Sequence, residues 1–282
     1  MGMELIQKKK LDIMWKYVAF AYLLFVIMVL GICGTASMVF NASGLTMRWL
    51  ANLCAWSPTF ALLIMFKKLR PNMSLREFYC ETFSGKIKIN LLIVSALSVI
   101  FGILLSVWII AIAEGKSFTS FFSLGRYSLL LTFLLSFLSG PTGEESGWRG
   151  YLRVELEKHY GFLKGSLVLG VVWAFWHTVL WFVDSDFTGA SLIPYVISNV
   201  VIMTSLVIIM NVILKKSDNL LYAVWIHLSF NFLYTFLSVD IWFYVILSIV
   251  NSIIATCYLI LYFKDLKRSR SNGLTGKGGL IG

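Results

Sequence analysis

The sequence predicts an all-α polytopic membrane protein, and three observations support this: its composition, its long apolar stretches and the placement of its basic residues. Of the 282 residues, 59% are hydrophobic and only 13% are charged, and the mean hydropathy is +0.82. Soluble domains carry about 25% charged residues, so a soluble globular protein is excluded. The basic residues form short blocks beside apolar stretches, so we expect membrane lipid, and no nucleic acid, as a partner.

Apolar stretches of the length needed to cross a bilayer recur along the whole chain. A bilayer core of roughly 30 Å requires about 20 apolar helical residues, and about eight such stretches are present. They cover residues 17–40, 50–66, 91–113, 121–141, 163–183, 192–214, 220–237 and 241–263. The first stretch is too long for the core of a signal peptide and is counted as a span. The prediction is therefore about eight transmembrane helices.

The distribution of Lys and Arg predicts the orientation of the chain. If the N-terminus is cytoplasmic, only Arg48, Lys116 and Arg126 lie outside, and the positive-inside rule favours this arrangement. We expect a multi-pass protein of the cell membrane with both termini in the cytoplasm. Residues 1–263 are predicted to form a single membrane domain. Residues 264–282 are basic and then Gly-rich, and we expect them to form a disordered cytoplasmic tail.

Several ionisable and amide side chains interrupt the predicted spans. An ionisable residue at the bilayer centre costs about 2.5–3.5 kcal/mol on insertion scales, so it indicates a functional site. Such residues occur in three places. The first holds Glu144, Glu145 and Arg149. The second holds His177, and the third holds His227 with Asn231. Their coincidence in one chain makes them the candidate catalytic residues.

Helical spacing predicts how these side chains are arranged. Residues four apart share a helix face, so Glu145 lies beside Arg149, and His227 lies one turn from Asn231. Glu144 is rotated from Glu145 by about 100°. One carboxylate can therefore pair with the arginine while the other accepts a proton from water. The Asn231 amide can donate to a developing oxyanion.

Alternative interpretations of the same residues remain open. Thr142 to Glu145 fits a capping box after Pro141, which would make the acids part of a helix start. A histidine or asparagine within a span is often an interhelical hydrogen-bonding residue, and this applies to Asn231. Two histidines with a carboxylate can also bind zinc and leave one position for water. Glu144, His177 and His227 are the candidate zinc ligands.

The three clusters together resemble the CPBP intramembrane proteases, which include the CAAX-processing endopeptidases. The family pattern reads E-E-x-x-x-R, then F-x-x-x-H, then H-x-x-x-N. The chain has "EESGWR" at 144–149 and "HLSFN" at 227–231, both complete, and "WAFWH" at 173–177, in which Trp173 replaces the usual phenylalanine. The resemblance covers about residues 120–235 and says little about the first hundred. The replacement is expected to alter packing around His177 more than the chemistry.

The resemblance implies peptide-bond hydrolysis in a cavity that opens to the cytoplasm. In that picture Glu144 and His177 activate water, Glu145 and Arg149 hold the arrangement, and His227 and Asn231 stabilise the oxyanion. Within the family the same residues serve as a zinc site or as a metal-free glutamate protease, so zinc is left open. The substrate would be a peptide or membrane protein, with or without lipid modification, either CAAX-like or related to bacteriocins.

Two other function classes compete with the protease interpretation. A non-enzymatic immunity or scaffold protein would keep the polar cluster for structure, and a small proton-coupled transporter would use Glu144 and the histidines as proton carriers. The protease interpretation adds a geometric requirement. A rise of 1.5 Å per residue places His227 about 12 Å and His177 about 21 Å into their spans. The fifth span should therefore start after Leu163, tilt, or break near Gly170.

Overall fold

The computed structural model describes residues 2–125, 127–183 and 187–275, and it describes side chains within residues 11–269 of these ranges. In this part of the chain the backbone forms helices and no strand, apart from an isolated bridge between Phe122 and Leu237. The helices are α1 Gly2–Met28, α2 Gly34–Met38, α3 Gly44–Cys54, α4 Ser57–Leu69, α5 Leu75–Thr82, α6 Ile89–Glu114, α7 Leu129–Leu138, α8 Gly140–Glu145, α9 Arg153–Tyr160, α10 Phe162–Trp176, α11 Thr178–Val183, α12 Leu192–Ser217, α13 Leu221–Tyr234 and α14 Ile241–Thr275. Wider π-helical turns, Val29–Cys33 and Ser146–Leu152, join α1 to α2 and α8 to α9.

The all-α polytopic membrane class is confirmed. Six helical segments in the described residues are long and apolar enough to cross a membrane. They are Leu11–Met38, Gly44–Leu69, Ile89–Glu114, Phe162–Val183, Gly189–Ser217 and Ile241–Ser269. The predicted count of eight is not confirmed, because two of the apolar stretches form shorter helices.

The two shorter helices come from the stretches 121–141 and 220–237. The first forms α7, which has 10 residues and ends at Leu138, and the backbone leaves the helical region at Ser139 before α8 begins. The second forms α13, which has 14 residues and measures about 21 Å. The connections beyond them pair with each other, since the Ser123 amide donates to Phe236 and the Ser238 amide donates to Phe121. These hydrogen bonds satisfy backbone groups that would otherwise be unpaired in an apolar surrounding.

Charged side chains gather at one end of the helix bundle, which we call the basic end. There Arg70 lies 2.6 Å from Glu155, which joins α4 to α9. Lys215 lies 2.5 Å from Glu157, which joins α12 to α9. Lys216 of α12 also lies 3.0 Å from Asp265 of α14. These pairs place the C-terminal ends of α4, α12 and the apolar part of α14 on the same side of the molecule.

The last described helix extends into the segment that was predicted to be a disordered tail, and the disorder stays a prediction. Helix α14 continues to Thr275, so residues 264–275 are helical. The reason is that Lys, Leu and Arg are good helix formers, and this part of the tail precedes most of its glycines. Residues 276–282 of the predicted tail lie outside the described residues.

The interior of the bundle is formed by aromatic side chains of α1 packed against the segment that carries the acidic pair. The Tyr17 hydroxyl donates to the Pro58 carbonyl at 3.0 Å, and the Tyr17 ring meets Trp148 edge to face. Gly147 lies directly beneath this contact, because a Cβ there would be 2.3 Å from the Tyr17 hydroxyl and 2.7 Å from the Pro58 carbonyl oxygen. The absence of a side chain at Gly147 therefore lets α4 and α1 approach the acidic pair closely.

Candidate active site

Glu144 and Glu145 lie at the end of α8, where the chain passes into the π-helical turn. Both carboxylates are buried, with 3% and 0% of the residue exposed. The capping-box alternative is not formed: Thr142 is inside the helix, and its hydroxyl donates to the Phe137 carbonyl at 2.8 Å. A role at the helix start therefore does not account for the two acids.

Glu145 is held by a cation and an imidazole. Arg149 Nη1 donates to Glu145 Oε1 at 3.1 Å, and the two side chains are 0% and 1% exposed. His227 Nδ1 lies 2.7 Å from the same oxygen. Because the carboxylate is an acceptor, Nδ1 carries the proton in this hydrogen bond and Nε2 of His227 faces away from Glu145. The predicted pairing of Glu145 with Arg149 is present, and it also orients His227.

Glu144 lies apart from the arginine pair and receives a different hydrogen bond. The indole Nε1 of Trp173 donates to Glu144 Oε2 at 2.5 Å. The other oxygen lies against Gly140, where a Cβ would be 2.6 Å from Glu144 Oε1 and 2.7 Å from His227 Nε2. Glu144 and the outward nitrogen of His227 therefore converge on one small space, which only glycine at position 140 leaves open.

His177 lies at a break between two helices. The backbone amide of His177 donates to Ala174, which closes the last turn of α10. Nδ1 of His177 is 2.9 Å from the Trp173 carbonyl oxygen. A carbonyl only accepts, so Nδ1 carries a proton, and in the neutral ring Nε2 is left as an acceptor. Nε2 of His177 can therefore accept a hydrogen bond.

The predicted adjustments of the fifth span are corrected by the structure. Helix α10 starts at Phe162 and runs without interruption across Gly170. Gly170 serves for close packing, since a Cβ there would lie 2.6 Å from the Cα of Thr204 on α12. The break lies instead at His177, so the histidine sits at the end of a helix rather than within one.

The predicted catalytic residues meet at one cavity. A space of about 200 Å³ is lined by Glu144, His177, His227 and Asn231, together with Trp173. Glu145 and Arg149 do not line this cavity and lie behind it. Four of the six predicted site residues therefore share one cavity, and the catalytic roles of all six stay predictions.

Trp173 is the one residue of the site that the sequence interpretation undervalued. Besides its hydrogen bond to Glu144, its ring lies 3.9 Å from the guanidinium carbon of Arg149, a cation–π contact. The ring also meets His177 and His227 edge to face, with centroids 5.8 and 5.3 Å away. The available signal was the tryptophan at the phenylalanine position of F-x-x-x-H, because an indole adds a donor that phenylalanine lacks.

The cavity also reaches residues of α12 and α14. Its wall includes Tyr195 in the first turn of α12 and Tyr244 in the first turn of α14, at the helix ends opposite the basic end. The basic residues of α12, Lys215 and Lys216, lie at its other end. The cytoplasmic position of the termini and the side on which the cavity opens stay predictions.

The candidate zinc ligands are less closely grouped than a metal site requires. Among the residues that the structure describes, no three His, Cys, Asp or Glu side chains are placed to hold one ion. Nδ1 of each histidine is occupied, and Glu144 Oε2 accepts from Trp173. The arrangement gives the zinc expectation no support, and zinc binding stays a prediction.

Comparison with known proteins gives two findings for the part of the chain that holds this site. Residues 126–233 match the family model described as Type II CAAX prenyl endopeptidase Rce1-like. Over 136 residues the chain is 31% identical to the protein named CAAX prenyl protease 2 of Methanococcus maripaludis. That match covers 46% of this chain and 49% of the relative, so it spans about half of each protein. The segment that carries the acidic pair, Trp173, both histidines and Asn231 is therefore similar to CAAX prenyl proteases.

Proposed function

We propose that this protein is an intramembrane endopeptidase, which hydrolyses a peptide bond of a membrane-associated peptide or protein. The observation that carries the proposal is the shared cavity: Glu144, His177, His227 and Asn231 line one space, and hydrogen bonds orient Glu144 and both imidazoles. The match of residues 126–233 to the Rce1-like CAAX endopeptidase model supports this function. Buried acids and imidazoles around a cavity are the groups that general acid–base catalysis requires.

The residues divide the reaction between activation of water and stabilisation of charge. Glu144 accepts one proton of the water as the water oxygen bonds to the substrate carbonyl carbon, and Nε2 of His177 accepts a hydrogen bond from the water's other O–H group. The carbonyl oxygen becomes an oxyanion, which accepts a hydrogen bond from the Asn231 amide. A second proton on His227 would supply a further donor at Nε2, and Glu145, which lies at Nδ1, would stabilise that imidazolium. The carbon–nitrogen bond then breaks, and the proton held by Glu144 moves to the leaving amine.

The supporting residues keep this arrangement fixed. Arg149 neutralises Glu145, so that one charge of the acidic pair is compensated and Glu144 remains available. Removing one member of a buried ion pair costs about 3–5 kcal/mol, because the other charge stays buried without a partner. Arg149 and Glu145 are therefore positioning residues, and they do not contact the substrate in this mechanism.

A Glu144→Gln variant tests the proposal directly. Purified protein in lipid vesicles is incubated with two probes, a farnesylated peptide with a free C-terminus and an unmodified peptide from a transmembrane segment, and products are measured by mass spectrometry. We expect the wild type to cleave at least one probe, and both Glu144→Gln and His177→Ala to lower the rate at least about 100-fold, as losses of general acid–base groups do.

Matched controls separate a lost catalyst from a lost fold. Glu114→Gln changes an acid that pairs with Lys116 at the opposite end, and His159→Ala changes a histidine outside the cavity. Both controls should cleave like the wild type. Full cleavage activity of Glu144→Gln would reject Glu144 as the catalyst. Absence of cleavage by the wild type, together with a cellular role that Glu144→Gln retains, would instead favour a scaffold or immunity protein. Proton-coupled flux without any cleaved product would favour a transporter.

The zinc prediction is tested with the same preparation. The metal content of the purified protein is measured, and the cleavage rate is compared with and without a chelator. About one equivalent of zinc and loss of activity on chelation would establish the metal-dependent mechanism. Undiminished cleavage by metal-free protein would establish the metal-free one.

A further inference from the structure

The break between α7 and α8 is held by side-chain hydrogen bonds to the backbone. The last four carbonyl groups of a helix lie beyond its regular amide partners, and in an apolar surrounding they need other donors. Here the backbone leaves the helical region at Ser139, and Pro141 has no amide hydrogen. The carbonyl groups of residues 135–138 all accept hydrogen bonds from side chains. The donors therefore show what fixes the break.

Two of these donors are hydroxyl groups of the break itself, and the other two come from a distant segment. The side-chain amide of Asn52, in α3, donates to the Leu135 carbonyl at 2.8 Å. The indole of Trp56, in the connection between α3 and α4, donates to the Leu138 carbonyl at 2.8 Å. We call Asn52 and Trp56 the donor pair. The donor pair joins the end of α3 to the end of α7.

Trp56 also contacts the other side of the break. A Cβ at Gly143 would lie 2.6 Å from Cδ1 of Trp56 and 3.0 Å from the Ala55 carbonyl oxygen. Gly143 immediately precedes Glu144 in the chain. One side chain therefore bonds to the last residue of α7 and packs on the residue before the acid that activates water in the proposed mechanism.

The break lies directly beside the groups of the active site. Gly140, its next residue after Ser139, leaves the space in which Glu144 Oε1 and Nε2 of His227 converge. Ser139 itself lines a second cavity, of about 320 Å³, whose wall also includes Asn231. A shift of the break would therefore move the Glu144 carboxylate relative to both His227 and Asn231.

We propose that Asn52 and Trp56 are positioning residues of the active site, which hold Glu144 in place by fixing the break between α7 and α8. The effect on the cleavage rate rests on the proposed peptidase function, whereas the effect on the break does not. Both residues lie outside residues 126–233, the range that matches the family model. Part of the site is therefore built by a helix that the match does not include.

Three substitutions test the role of the donor pair. Trp56→Phe removes one donor and keeps an aromatic ring, and Asn52→Leu removes the other donor at similar volume. Trp225→Phe is the matched control, because the Trp225 indole also donates to a backbone carbonyl of another helix, that of Leu92, at 3.0 Å. The kcat and KM for the cleaved probe and the Tm are measured for each variant.

We expect Trp56→Phe and Asn52→Leu each to lower kcat at least about tenfold, because a small misplacement of a reacting group can cost about 100-fold in rate. KM should change by less than about twofold, since neither residue binds substrate in this arrangement. Trp225→Phe should keep the wild-type kcat, even where its Tm falls as much as that of Trp56→Phe. A merely structural role would lower Tm in these variants without this difference in kcat.

Hydrogen–deuterium exchange tests the break itself and requires no hydrolysis. In the peptide that covers residues 139–146, loss of either donor should speed exchange at least about threefold, because exchange follows local opening. Trp225→Phe should leave this exchange unchanged. If Trp56→Phe does not fold, Asn52→Leu decides the outcome.

Unchanged exchange or a wild-type kcat in either donor variant that folds would overturn the proposal, and so would an equal fall of kcat in Trp225→Phe. Failure of the peptidase function gives a different result. If the wild type cleaves no probe while exchange is faster only in the donor variants, the peptidase is rejected and the effect of the donor pair on the acidic segment is retained.

Discussion

Trp173 is the residue at which this chain departs from the usual family pattern, and it contacts most of the site. A phenylalanine at this position keeps a ring over Arg149 but cannot donate to Glu144. The indole hydrogen bond of 2.5 Å fixes one oxygen of the carboxylate and leaves the other against Gly140. The replacement therefore affects the orientation of the catalytic acid, in addition to the packing that the sequence suggested.

We predict that Trp173→Phe lowers the cleavage rate about 10- to 100-fold. A hydrogen bond to a charged group contributes about 1.5–3 kcal/mol, and each 1.4 kcal/mol corresponds to about a factor of ten in rate. The measurement is kcat and KM for the cleaved probe. We expect kcat to fall with little change in KM, because the hydrogen bond orients a catalytic group and does not bind substrate.

Trp148→Phe is the matched control for this experiment. Trp148 is also fully buried, but no hydrogen-bond partner of its indole nitrogen is present in the described residues. The substitution removes the same ring atoms without removing a bond to the acid. Equal losses of kcat in the two variants would show that ring volume, and not the donated hydrogen bond, accounts for the effect of Trp173.

At the scale of elements, the segment from α8 through the π-helical turn is packed tightly on α4 and α1. Gly147 has no room for a side chain, because a Cβ would lie 2.7 Å from the Pro58 carbonyl oxygen, which belongs to the backbone. Gly150, one turn later, has space, since its nearest atom is the tip of the Phe78 ring at 3.3 Å. The two glycines share one turn type but differ in packing.

We predict that Gly147→Ala destabilises the protein by about 1–3 kcal/mol, the usual cost of overpacking. Gly150→Ala should be close to neutral, because the Phe78 ring can move slightly and alanine favours the helix by up to about 1 kcal/mol. The Tm of each variant is measured in detergent, from the loss of monodisperse protein on heating. Equal Tm values for the two variants would contradict the close packing of α4 on the acidic segment.

Contacts within one helix could be predicted from the sequence, whereas breaks that depend on packing between helices could not. Glu145 with Arg149, and His227 with Asn231, are pairs within one helix, so their spacing alone predicts their proximity. The break at His177 and the short helix α13 depend on how segments far apart in the chain pack. Hydropathy averaged over a window cannot reveal them, because the residues on both sides of each break are apolar.

At the scale of the whole molecule, the fold class follows from composition, whereas the walls of the cavity do not. The sequence supplies the apolar stretches, but the cavity walls depend on which parts of α12 and α14 pack around the site. Only the packed bundle shows that Tyr195 and Tyr244, in the first turns of α12 and α14, share the cavity wall with Glu144. A resemblance confined to residues 120–235 carries no information about α14.

The basic end holds the bundle together through ion pairs centred on α9, and this predicts a dependence of stability on pH. Burial alone would raise the pKa of the Glu155 carboxyl, but the hydrogen bonds and charges of Arg70 and Lys158 outweigh burial, and the pKa lies below its usual value of 4.5. A carboxyl with a lowered folded-state pKa contributes stability above its unfolded-state pKa. That contribution is lost as pH falls through the folded-state pKa.

We therefore predict that Glu155→Gln lowers the Tm at about pH 7 by roughly 2–4 °C, which corresponds to about 1 kcal/mol for a partly exposed ion pair. The difference between wild type and variant should shrink as pH falls below 4.5, the usual carboxyl pKa, because the wild-type carboxyl becomes protonated and loses its attraction to Arg70. Glu81→Gln, an exposed acid at the same end, should follow the wild type at every pH. A difference that stays constant down to about pH 3 would mean that Glu155 contributes by packing, and that the charge pairing between α4 and α9 does not hold the basic end together.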